Sequence, residues 1–227
     1  MNETKTLSIK EIIEGSELKL KNKVKSFSRL KISYDEFISL LKIKGYETLL
    51  EHGQNRAFDI DEYNIPTIQL LYNHISLCDE NINPNIGIIF KGNTGCGKSI
   101  LAQTYCKVLA EITPGNKEYE LMHSIHLADH IKDFGVSELA KLPLIIQDLG
   151  KEPLEVPVYG IKINPITHLL AVRAEYGAKT FGTMNMTIEK FNTRYFQFVG
   201  DRLKEHVNFI HLDGDSRRNN FIQENAK

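Results

Sequence analysis

Gly87-Ile88-Ile89-Phe90-Lys91-Gly92-Asn93-Thr94-Gly95-Cys96-Gly97-Lys98-Ser99 decides how the rest of the chain is read. The apolar run Gly87 to Phe90 has the composition of a buried parallel strand and stops at a glycine-rich loop. From Ser99 to Ala110 the residues suit a helix. Between them, Gly92 to Ser99 matches G-x-x-x-x-G-K-[ST] in full, in the strand-loop-helix setting that gives the pattern its meaning. Glycines let backbone N–H groups turn inward around phosphates, and the helix adds its positive N-terminal end. Lys98 would put an ammonium on the outer phosphates, and the Ser99 hydroxyl would complete a magnesium shell. The sequence therefore predicts binding of ATP with Mg2+, cradled by Gly92, Asn93, Thr94, Gly95, Cys96, Gly97, Lys98 and Ser99. Cys96 is read as a filler, since a redox role needs a depressed thiol pKa.

Outward from the loop, strands alternate with helices. Leu144-Ile145-Ile146 predicts a second buried strand ending in Gln147-Asp148. Thr180 to Thr183 predicts a third, ending near Asn185, and Phe209 to Leu212 a fourth. Helices are expected from Pro66 through Ile75 and over Ile166 to Tyr176, with Asn81 to Asn85 as a turn. This order implies an α/β fold, a parallel sheet with helices on both faces. Asp148, on the acidic strand end, is expected beside the magnesium or the attacking water.

Residues 1–64 read as a separate helical region, and 65–227 as the nucleotide-binding domain. Lys19 to Lys31 holds six basic residues and no acid, which suits either a solvated face or a nucleic-acid surface. Ser33 with Glu36 has capping-box spacing. Behind it, Tyr34, Phe37, Ile38 and Leu41 share a helical face, as helix core or as a docking stripe. Gly45 is expected to break or kink that helix, and His52 to Asn55 to form a linker. The net charge of -1 means that any nucleic-acid surface must be local. Three cysteines without a CxxC pair argue against a disulfide framework or zinc site and for a reducing, cytoplasmic setting. His126 and His130, spaced i, i+4, lack an acidic helper for metal. The polar first ten residues carry no signal-peptide run, and no apolar run is long enough to span a membrane.

Over residues 60 to 220 the chain resembles the AAA+ ATPases of the DnaC helicase-loader group, which includes the IstB-type transposition ATPases. The resemblance rests on Gly92 to Ser99, Gln147-Asp148-Leu149-Gly150 with Glu152-Pro153, Thr183-Met184-Asn185, Gly200-Asp201-Arg202-Leu203, and Gly214-Asp215-Ser216-Arg217-Arg218. It implies an ATPase in which Asn185 is the sensor-1 residue, although an Asn there also suits a helix cap. It implies that Arg202 is an arginine finger acting on a neighbouring subunit and that Arg217 is the sensor-2 arginine, with Arg194 a further arginine of that type. The implied partners are a replicative, DnaB-like helicase, single-stranded DNA, and further copies of this chain joined on ATP binding. A transposase partner and a nucleotide-gated binding module with little turnover are the alternatives. Two positions depart from the group: Gln147 replaces the usual first acid of the strand end, and Phe198 stands where relatives often carry another arginine. A neutral amide in place of a carboxylate weakens the hold on magnesium, so slow hydrolysis is expected.

Overall fold

The computed structural model describes residues 9–26, 31–76, 81–113, 115, 118–158, 160–195 and 206–217. Its centre is a five-stranded parallel sheet: β1 (Gly87–Lys91), β2 (Glu120–His123), β3 (Leu144–Leu149), β6 (Thr180–Met184) and β7 (Val207–His211), in the order β2-β3-β6-β1-β7. β4 (Val156–Val158) and β5 (Ile161–Ile163) pair separately as an antiparallel hairpin. β1 therefore lies inside the sheet, with β6 and β7 on either side, both parallel to it. Because all five main strands run the same way, their C-terminal ends open on one rim, where ligands of open α/β sheets bind.

Strand alternation divides the core in two. Ile88, Phe90, Ile145, Phe181 and Ile210 face one layer, formed by α2 (Tyr34–Glu51), α3 (Ile65–Ser76) and α4 (Lys98–Ile112). Ile89, Leu144, Ile146 and Met184 face the other, formed by α5 (Ser124–Phe134), α6 (Pro165–Glu175) and α7 (Ile188–Tyr195). The expected α/β architecture with both faces covered is the one observed. The fifth strand, β2, and the β4–β5 hairpin are additions to the sequence reading. Arg173 of α6 is 1% exposed and donates to the carbonyls of Leu139, Leu142 and Lys179 and to the Thr180 hydroxyl, and burial lowers its guanidinium to about 10. It ties the loops below the sheet together.

α2 starts as expected, with Ser33 and Glu36 closing a reciprocal capping box. It does not break at Gly45. The helix continues through this position, because the missing side chain makes room for Phe58: a Cβ at Gly45 would stand 2.2 Å from the Phe58 ring. Nor does residue 64 mark a gap in packing. Phe37 and Leu41 are fully buried in the same core as β1 and α4, so along this face the stripe is core. α1 (Ile9–Ser26) leaves Ile9, Ile13 and Leu18 exposed. Most side chains of the Lys19 to Lys31 stretch lie outside the described residues, as do Cys78, Phe198, the segment Gly200 to Leu203 with Arg202, and Arg218. No described helix is long and apolar enough to cross a membrane.

Candidate nucleotide site

The loop between β1 and α4 turns on glycines that a side chain would not permit. Gly95 has φ 90° and Gly97 φ 101°, both in the left-handed region. A Cβ at Gly95 would also lie 2.3 Å from the Ser216 hydroxyl. Gly97 then caps α4, so the helix opens at Lys98 with its first amides directed at the loop. Lys98 is 6% exposed, and its ammonium is held inside the turn, 2.9 Å from the Gly92 carbonyl and 2.6 Å from that of Asn93. Cys96 is fully buried with its Sγ 3.5 Å from the Leu212 carbonyl, a packing role that agrees with the filler reading.

The loop opens on a cavity of about 750 Å³, lined by Thr94 to Leu101, Gln147, Asp148, Lys151, Asn185 and Arg217. That size falls within the range of nucleotide-sized ligand sites. So the structure brings together every described residue assigned to the site, with Gly92 and Asn93 contributing carbonyls behind the rim. The donor set also fits a magnesium ion beside phosphate: one hydroxyl, Ser99, and one carboxylate, Asp148, with room for phosphate oxygens and water.

A bulge in β3 aims its two polar residues. Ile146 pairs with Gly182, but the next pairing is Leu149 with Met184. Asp148 absorbs the irregularity with φ 56°, the one positive φ outside glycine among the described residues. Leu149 thereby returns to the apolar layer that Leu144 and Ile146 share with α5 and α6, while Gln147 lines the cavity beside α4. The Asp148 amide donates to the Thr183 hydroxyl on β6 (3.1 Å), and Ser124 at the start of α5 donates to its carbonyl (2.9 Å). Its carboxylate meets Lys151 Nζ at 2.6 Å and His123 Nε2 at 3.4 Å. His123 Nδ1 accepts from the Ile125 amide, capping α5, which leaves the ring proton on Nε2 facing Asp148. Partial burial pushes the carboxyl up, but the Lys151 hydrogen bond and charge, joined by His123, outweigh it and hold Asp148 below its ordinary value.

Asn185 follows β6, is exposed and lines the cavity. It does not cap α7: Thr187 accepts the Lys190 amide with its hydroxyl and does that work. Arg194 is turned away from the cavity, onto buried Glu152, whose carboxylate also accepts from Tyr195 and the Gly150 amide. Sequence reading missed Lys151 and His123 around Asp148, and the bond from the Asp148 amide to Thr183. It missed as well the wall from Leu49 to Asp59 and the Asp61 carboxylate that meets Arg217. Among these only Lys151, three residues from Asp148, has a local spacing to betray it.

Sheet order, loop and strand-end residues together define the AAA+ P-loop NTPase fold. Within that fold the chain is similar to the solved structures of DnaC and DnaI. The DnaC helicase loader shares 18% identity over 69% of this chain and 93% of that one, with a TM-score of 0.51. DnaI shares 20% identity over 71% of this chain and 88% of that one, with a TM-score of 0.52. No protein-family model matches the sequence, and no curated protein matches it.

Proposed function

We propose that this chain is an ATP-binding AAA+ accessory protein of DNA replication, which uses bound ATP to assemble copies of itself and deliver a replicative helicase to single-stranded DNA. One observation carries the nucleotide half: a buried lysine held by two carbonyls inside a glycine turn, at the mouth of a cavity of about 750 Å³. Lys98 would exchange the Gly92 and Asn93 carbonyls for phosphate oxygens, which are charged and so better acceptors. Ser99 and Asp148 would hold Mg2+, which supplies charge neutralisation at the phosphates. Asn185 would orient the attacking water, and Arg202 would act on the site of a neighbouring copy. Asp148 enters this chemistry already ionised and tethered to Lys151, and Gln147 adds no second carboxylate. Turnover is therefore slow, and ATP acts mainly as an assembly ligand.

The helicase half is supported by the shared fold with DnaC and DnaI. The partner-facing region is α1 and its surroundings, where Ile9, Ile13 and Leu18 are exposed, whereas α2 belongs to the ATPase core. Calorimetry with ATP and Mg2+ tests the first half. Binding at micromolar Kd is expected, with loss on Lys98→Ala; equal binding by that variant sinks the reading. Helicase deposition on single-stranded DNA, with and without ATP, tests the second. Gln147 favours the alternative of a nucleotide-gated module, for which assembly persists without measurable hydrolysis.

A further inference from the structure

Arg217 reaches the phosphate loop from a segment that no local motif joins to it. Its own amide donates to the Gly95 carbonyl (3.0 Å), and its Nε to that of Cys96 (3.2 Å). Its stem lies on Gly97, the cap of α4: a Cβ there would stand 3.3 Å from Arg217 Cδ. Nη2 is gripped by both carboxylate oxygens of Asp61, at 2.9 and 2.8 Å. Asp61 in turn is fixed, because its Oδ1 accepts the amides of Tyr63 and Asn64, both at 3.1 Å. The Asn64 side chain accepts from the Asp61 amide and donates to the Asp59 carbonyl. The segment before α3 and the segment after β7 are thus closed over the loop, and Gly214, at φ 114°, packs against Tyr63.

The guanidinium is therefore held at two of its three nitrogens, by a carbonyl of the loop and by an anchored carboxylate. Among the described residues Nη1 carries no hydrogen bond, and Arg217 lines the cavity at the N-terminal end of α4. Such an end already collects anions. We infer that Asp61 is a positioning residue for the nucleotide: it fixes Arg217 over the loop so that Nη1 is presented to a phosphate oxygen. The inference rests on the proposed ATP reading of the same site. An arginine restrained in advance loses less rotamer freedom on binding than one swinging in solvent.

Asp61→Asn separates this role from a merely structural one. The amide oxygen can still accept from Tyr63 and Asn64, so the turn is kept while the charge that grips Arg217 is removed. Calorimetry with ATP and Mg2+ is run on the full chain, on D61N, on R217A, on the D61N/R217A pair, and on K98A. Expected are about tenfold weaker binding for R217A and about fivefold for D61N, in the range of one charge-assisted hydrogen bond. D61N should cost nothing further in the R217A background. Equal or tighter binding by D61N, or an undiminished loss in the R217A background, overturns the inference while leaving the ATP reading intact. Binding unaffected by K98A removes that reading, and the inference with it.

Discussion

Asp148 is the residue whose surroundings say most about how the site works. Its folded carboxyl lies below the ordinary 3.8, so the unfolded chain binds the proton more readily. The stability drawn from its pairing with Lys151 and His123 is present above pH of about 4 and is lost as pH falls through the lower folded value. Following the Asp148 carboxyl by NMR should give a midpoint below 3.8 that rises toward 3.8 in Lys151→Ala; an unchanged midpoint would show the ion pair to be inert. Beside it, Gln147 lines the same cavity, where on the proposed reading a second acid would add charge at Mg2+. Gln147→Asp should raise steady-state hydrolysis about tenfold, a step of about 1.4 kcal/mol in the barrier. A flat rate would place the limit elsewhere. At this scale the sequence was readable where spacing is local, from Gly92 to Ser99 and at Asp148. The Asp61–Arg217 pair spans 156 positions, and no periodicity or motif signals a contact of that range.

Among the elements, α2 departs furthest from its sequence reading. A glycine in mid-helix ordinarily costs about 1 kcal/mol relative to alanine, which is why Gly45 reads as a breaker. Here it is the seat of Phe58, which itself lines the nucleotide cavity. Gly45→Ala should therefore lower stability by about 1 kcal/mol, the overpacking cost exceeding the propensity gain. It should weaken ATP binding as well, through displacement of residues 53–59. Urea unfolding and calorimetry check the two effects, and a stabilised variant would mean that the ring moves freely. β2 was not legible for a different reason. It is an edge strand with Glu120 and Leu121 exposed, so it lacks the apolar run that identified the interior strands. The β4–β5 hairpin holds Pro157 and exposed Ile161 and Lys162, a pattern with neither strand nor helix period.

Across the whole molecule, the organisation into an α/β sheet was legible because buried parallel strands write continuous apolar runs. The extent of the core beneath the sheet was not, since burial of α2 depends on partners distant in sequence, β1 and α4 above all. Phe37, Leu41 and Leu49 are each no more than 1% exposed. Losing such side chains costs about 2–5 kcal/mol apiece, against a total stability of about 5–15 kcal/mol. Deleting residues 1–30 should leave a cooperative thermal transition, whereas deleting 1–64 should abolish it. Circular dichroism melts of the two truncations decide this, and a folded 65–227 fragment would support a domain boundary at 64.

Strand β7 lies directly beside β1, and the backbone just after it rests on the phosphate loop. Synthesis makes the loop first and its flank much later, with 121 positions between Cys96 and Arg217. A polypeptide still emerging from the ribosome carries the whole Gly92 to Ser99 signature without the strand and arginine that complete it. On the proposed ATP reading, full affinity for the triphosphate is therefore reached only once translation has passed Arg217.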